Sequence, residues 1–290
     1  MNRTRTALTC TGLAVALALL PQSASAAGWS RTPDYQRWTA LTALTRGQGI
    51  ATDNTSFYYS GTYSLVRTTV SGDHQTSSNP FAIPAALSSQ YGTDHIGDID
   101  YADGRIIAPL EDGKNYQHPL LALYNTDLSY TGRYVQLPHE LFPDGVPWVA
   151  VDAAAGLVYA AAWNQDTAGS TDRLVVFSLN DLRTLPAGSP LPVRRTVKLS
   201  RPLSRIQGAT LLRGSLYASV DISGDKSVYA IDPATGAVTW EFAQDVEPGD
   251  ETEGITALDL GPSGGQLHIL NVGSGWKSVF LYLQHYATAG

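Results

Sequence analysis

The sequence predicts an all-β protein: a β-propeller of five four-stranded blades, closed by a strand from the N-terminal side. Three observations carry that expectation. A short apolar strand, a Gly/Asp/Asn turn and further strands recur as one phrase, opening at Gly49, Gly97, Val149, Gly208 and Gly254. The openings lie 46–59 residues apart, a spacing that suits radial repetition of strands. The last copy ends at Tyr286 with almost nothing behind it, whereas a strand-like segment, Arg37–Leu44, stands unused before the first copy.

Each element follows from local chemistry. The opening strands are apolar and rich in small residues, as crowding around a common axis requires. The turns behind them, at Asp53-Asn54, Asp103-Gly104, Ala155-Gly156, Arg213-Gly214 and Gly264-Gly265, are built from residues that reverse a chain tightly. Third strands begin at Leu120, Arg173, Lys226 and Ser278, and fourth strands at Arg133, Val193 and Ala237. The fourth strands mix apolar residues with threonine and charge, the pattern of a strand with one wet face. Arg37–Leu44 resembles them and would complete the last blade, removing an open sheet edge. The alternative is a sixth blade, with weak strands hidden in residues 70–94 around Phe81-Ala82-Ile83. A β-sandwich would have less regular connections.

Residues 1–26 read as a signal peptide. Arg3 and Arg5 precede an apolar stretch from Leu8 to Leu20, and Ala24-Ser25-Ala26 offers a small-x-small cleavage pattern. The apolar stretch is too short for a comfortable membrane span. Secretion, a single domain over residues 27–290, no stable membrane insertion and a monomer are the expectations. Cys10, the only cysteine, leaves with the leader, so disulfides, zinc–thiolate sites and thiol nucleophiles are not expected. The formal net charge is −7, and loss of Arg3 and Arg5 makes the mature chain more acidic. That disfavours nucleic acid as a partner. No GxSxG elbow or Gly-rich phosphate loop is present, so serine-hydrolase and nucleotide chemistry are not expected.

The passage SVYAIDPATGAVTWEF, from Ser227, resembles the repeat of quinoprotein-like (PQQ-type) propellers, in which a strand, an Asp-x-x-Thr-Gly turn and a Trp recur. The resemblance covers about 16 residues. It implies the fold, but this chain is too short for the eight-bladed rings that hold a quinone, so neither quinone nor haem is expected. HIGDIDY at His95 and EGITALD at Glu253 loosely resemble blade openings of secreted lactonase-, phytase- and esterase-like propellers. That likeness is broad, and no set of calcium ligands transfers with it residue by residue.

The residues at the start of each innermost strand should converge on one mouth of the central channel. They are Gln48, His95 with Asp98, Pro147-Trp148, Gln207, and Glu251 with Glu253. Glu251 and Glu253 share a strand face. With Asp98 they form the candidate calcium set; alternatively they share a proton, or belong to a solvated acidic loop. His95 and Asp98 are candidate proton movers with Glu253. Gln48, Gln207, Trp148 and Tyr116 are candidate substrate contacts. The leading expectation is metal-assisted hydrolysis of a lactone or phosphoester. Its alternatives are a propeller binding a carbohydrate, small molecule or protein without chemistry, and a metal-free isomerase or cyclase using the same residues.

Overall fold

Strand β1 (Trp29–Trp38) is where the ring closes. In this computed structural model, which describes residues 28–71, 74–163, 170–222, 225–275 and 280–288, β1 is the outermost strand of the last blade. The leader assigned to residues 1–26 lies outside the described residues. Helix α1 (Ala40–Arg46) follows β1 and leads into blade 1. Blade 1 comprises β2 (Gly49–Thr52), β3 (Ser56–Ser60), β4 (Leu65–Thr69) and β5 (Gln75–Asn79). Helix α2 (Ala85–Tyr91) leads to blade 2. The innermost strand of blade 2 is split into β6 (His95–Ile96) and β7 (Asp100–Ala102). Outward from it run β8 (Arg105–Glu111), β9 (Leu120–Asn125) and β10 (Tyr130–Gln136).

Blade 3 is β11 (Val149–Asp152), β12 (Leu157–Ala160), β13 (Ser170–Ser178) and β15 (Val193–Ser204); β14 (Ser189–Pro190) instead pairs with β10 of blade 2. Blade 4 is β16 (Ile206–Leu212), β17 (Ser215–Ile222), β18 (Asp225–Ile231) and β19 (Val238–Ala243). Blade 5 is β20 (Glu251–Ala257), β21 (Leu267–Val272), β22 (Leu281–Thr288) and, antiparallel to β22, β1. The count of five is as expected. Residues 75–79 supply the fourth strand of blade 1 and residues 85–91 a helix, so no sixth blade forms there.

The closing strand lies earlier than Arg37–Leu44. Only Arg37 and Trp38 belong to it, and Trp38 pairs with Leu281, the first residue of β22. Among the described residues the pairing of β1 ends there. The chain turns into a helix whose Ala40, Leu41, Ala43 and Leu44 are good helix formers. A polar thread crosses the closure: His285 Nε2 lies 2.9 Å from Gln36 Oε1, His285 Nδ1 is 2.6 Å from His268 Nδ1, and His268 Nε2 reaches the Leu258 carbonyl. Burial pushes His268 down to about 3.

Strand alternation builds the cores between blades. On β3, Tyr58 packs with Ile96, Ile106 and Tyr124 of blade 2, while Phe57 and Tyr59 pack with Leu270, Leu281 and Leu283 of blade 5. On β13, Val175 and Phe177 join the core with blade 2, and Leu174 and Val176 the core with blade 4. Middle strands are buried on both faces, which is why they read as continuous apolar runs. Each fully buried side chain of this size contributes roughly 1.5–3 kcal/mol.

Candidate functional site

The innermost strands draw together around one carboxylate. Asp98 is fully buried, and its Oδ1 accepts the Ile50 N–H at 2.8 Å. Its Oδ2 accepts the Ile255 N–H at 3.5 Å, and the nearby Ala209 N–H also favours the charged carboxylate. Ile50, Ala209 and Ile255 each follow a glycine of an innermost strand. The main chain of Asp98 ties in blade 3, with its N–H on the Pro147 carbonyl and its carbonyl receiving the Val149 N–H. One residue thus links all five blades at the axis. The neighbouring glycines have no alternative: a Cβ on Gly254 would lie 2.3 Å from Asp98 Oδ1 and 2.5 Å from the Gly49 Cα.

This corrects the expected place of Asp98. It aligns with Ile50, Ala209 and Ile255 inside the ring, not with the residues that face the mouth, and its oxygens are committed to backbone donors. Burial pushes its carboxyl well above the usual range, while the backbone N–H groups pull the other way.

Above this floor lies a cavity of about 240 Å³. It brings together six expected residues: Gln48, His95, Tyr116, Gln207, Glu251 and Glu253. Gln48, Gln207 and Glu253 each sit immediately before the glycine of their strand, so equivalent positions of three blades converge. Pro147 also lines the cavity. Trp148 does not. It is fully buried in the core between blades 3 and 4, and among the described residues its indole N–H has no hydrogen-bond partner. The tryptophan at the mouth is Trp163, and a third glutamate, Glu111, joins it there. His118 is exposed beside Tyr91, His74 is exposed in a loop, and Trp276 lies outside the described residues.

His95 is clamped. Its Nδ1 is 3.0 Å from Glu111 Oε1 and its Nε2 is 2.6 Å from Gln48 Oε1, so both ring nitrogens face oxygen atoms. Glu111 is fixed in turn by the Val146 N–H, 2.8 Å from Oε2. Gly145, at φ +94°, permits this packing; a Cβ there would lie 2.2 Å from Glu111 Oε2 and 2.7 Å from the Tyr116 ring. Tyr116 is itself held at φ +52°, in a region that L residues seldom enter.

Glu253 is the opposite case. It is 6% exposed, faces the cavity, and among the described residues its carboxyl makes no hydrogen bond. Burial drives its titration well above the usual carboxylate range. The charges of Glu251, Asp221 and Asp98 push the same way, against a smaller pull from Lys226. Glu251, two residues earlier, is exposed at the rim. With Asp98 withdrawn, the expected calcium trio does not assemble, and among the described residues no group of three or more His, Asp and Glu side chains is placed to hold a metal ion. Calcium takes six to eight oxygen ligands. Glu251, Glu253 and the amides of Gln48 and Gln207 are what the mouth offers.

Fold and cavity together define a five-bladed propeller able to hold a small ligand at its central channel. No family model matches the chain, and no curated protein matches its sequence. Among solved structures the ring is similar to glutaminyl cyclase of Myxococcus xanthus, with a TM-score of 0.55 and 15% identity over 88% of this chain and 96% of that one. It is also similar to a structure of a nidogen/laminin complex, with a TM-score of 0.49 and 14% identity over 83% of this chain and 84% of that one. At 15% identity the likeness to the cyclase shows the fold alone. Among the described residues no helix is long and apolar enough to cross a membrane.

Proposed function

We propose that this is an exported propeller whose channel mouth binds a small amine-bearing ligand. The observation that supports the reading is Glu253, a buried carboxyl turned toward an open cavity with no hydrogen-bond partner among the described residues. Burying a carboxylate without donors is costly, so the empty site favours the protonated acid. An ammonium group supplies both charge and donors, and Glu251 at the rim draws it in. Trp163 and Tyr116 offer apolar surface for the rest of the ligand, and the amides of Gln48 and Gln207 offer polar contacts.

A second reading is metal-free proton transfer by Glu253 on the bound ligand, as in a cyclase. Its raised titration favours this, because a buried carboxyl that holds its proton more tightly than usual can give it up to a bound ligand and take it back. The similar ring of a glutaminyl cyclase makes a glutaminyl peptide the first substrate to try. Calcium-assisted hydrolysis of a lactone or phosphoester is a third reading, resting on Glu251 and Glu253 as the carboxylate ligands.

One set of titrations separates them. Primary amines, calcium and a glycan array are tested against the parent protein and Glu253→Gln, and a glutaminyl peptide is followed for release of ammonia. Saturable amine binding lost in Glu253→Gln supports the proposal, and ammonia release lost in the same variant adds catalysis. Calcium binding that depends on Glu253 moves the site to metal-assisted hydrolysis. Glycan binding indifferent to Glu253, without amine binding, sinks the proposal.

A further inference from the structure

A larger cavity, of about 490 Å³, opens beside the mouth between blades 4 and 5. The two share Glu251 in their walls. They also touch at a stacked pair: the guanidinium of Arg205, lining the larger cavity, lies 5.2 Å from the ring centre of Trp163, which lines the mouth.

The larger cavity supplies cations that the mouth lacks. Glu251 and Glu253 face the mouth. In the larger cavity Arg205 and Lys226 stand among the carboxylates Asp221, Asp225, Glu247 and Glu251. Lys226 Nζ bonds Asp221 Oδ1, and the Arg205 guanidinium approaches Asp221 Oδ2 only to 3.7 Å. Asp225 is occupied, accepting bonds from the hydroxyls of Ser227 and Tyr229. Asp221 thus takes Lys226 directly and leaves the donors of Arg205 unused. An arginine carries five N–H donors. Among the described residues the Arg205 side chain makes no hydrogen bond, and its buried Nε has no acceptor.

The stack on Trp163 holds the planar group at the edge of the cavity, where its side chain remains 41% exposed. Its backbone is held at φ +45°, where the Arg205 carbonyl takes the Asp221 N–H at 3.0 Å. Strained residues of this kind gather at ligand sites. An anion with a flat two-oxygen face matches the fork of a guanidinium. Asp221 and Glu251 close by disfavour a doubly charged phosphate, so a carboxylate is the better fit.

We propose that the two cavities form one site for a dipolar ligand, its ammonium at Glu253 and its carboxylate at Arg205. Short amino-acid derivatives such as dipeptides carry both groups. This rests on the amine-binding reading of the mouth and adds the partner for the other end. Lys226, still holding donors beyond the one given to Asp221, is a further contact for the carboxylate.

The test is calorimetry with alanyl-alanine, its C-terminal amide and N-acetyl-alanine. The parent protein should bind alanyl-alanine roughly ten- to hundredfold more tightly than the amide, the increment of a charge-assisted contact. That gap should collapse in Arg205→Gln while the affinity for the amide stays unchanged. The comparison of acid and amide on the parent protein stands by itself if the variant folds poorly. Equal affinity for acid and amide overturns the two-cavity site and leaves the amine reading of the mouth intact. N-acetyl-alanine bound as tightly as alanyl-alanine, or no binding by any of the three, overturns both.

Discussion

Asp98 and Glu253 are two buried carboxyls in one ring, close enough for the charge of one to shift the other. Around Asp98 the strands converge so that backbone N–H groups of Ile50, Ala209 and Ile255 point at its oxygens. Glu253, one residue before a strand glycine, faces open space and other carboxylates. The same chemical group is structural where the fold supplies donors and available where it does not. In the aligned repeats the two stand two positions apart: Asp98 follows the glycine of its strand and Glu253 precedes its own.

The largest effect should come from disturbing the axis. In Gly254→Ala the new methyl meets Asp98 Oδ1 and the Gly49 Cα at distances no packing tolerates. Asp98→Ala strands the N–H groups of three blades. Each should cost about 3 kcal/mol or more, read from denaturant midpoints. An Asp98→Ala protein as stable as the parent would show that the axis does not depend on the carboxylate.

Amide replacement sharpens the contrast. Asp98→Asn should lower stability, because one oxygen that accepts a backbone N–H becomes a donor. Glu253→Gln should leave stability unchanged or slightly raised near neutral pH, while amine affinity falls roughly ten- to hundredfold. Equal destabilisation by the two would erase the distinction between them.

Proton linkage gives a subtler measure. The folded Glu253 titrates above its unfolded value, so its contribution to stability is full below that value and is lost as pH rises through the folded one. Ammonium binding reverses the preference and should release a proton, seen as a dependence of binding heat on the ionisation heat of the buffer. The dependence should vanish in Glu253→Gln. No proton release in the parent would mean that Glu253 is already ionised in the empty site.

The smallest effect concerns Asp100, an intermediate case. It accepts the Tyr101 and Val151 N–H groups, yet burial still pushes it up to about 7. Its contribution should fade as pH rises from its ordinary 3.8 to about 7, and Asp100→Asn should flatten stability over that window. An unchanged slope would remove Asp100 from the account.

Blade number and ring closure were legible because a repeat exposes itself by spacing and by what its ends lack. Much of the mouth was legible for the same reason: Gln48, Gln207 and Glu253 occupy equivalent places in their copies. Asp98 misled because blade 2 splits its innermost strand, and proximity to His95 in sequence does not say which way a side chain turns. Trp148 and Trp163 could not be told apart by residue type; the ends of one blade-3 hairpin put one in a core and the other at the mouth. Glu111 closes a second strand, and its approach to His95 depends on Gly145, far along the chain. The end of β1 differs from the expected one because helix α1 begins at Ala40, and pairing length is not written in β1 itself.

The closure of blade 5 also sets how the molecule would respond to force. Trp29 pairs with Thr288, so the outer ends of β1 and β22 lie side by side. Pulling on the chain from its two ends would part these strands rung by rung, like a zipper, instead of loading all their bonds together in shear. Blade 5 would lose its outer support first, and its innermost strand carries Glu251 and Glu253. Tension applied between the termini would therefore reach the mouth before the other four blades yield, making the seam of the ring the mechanical weak point of its site.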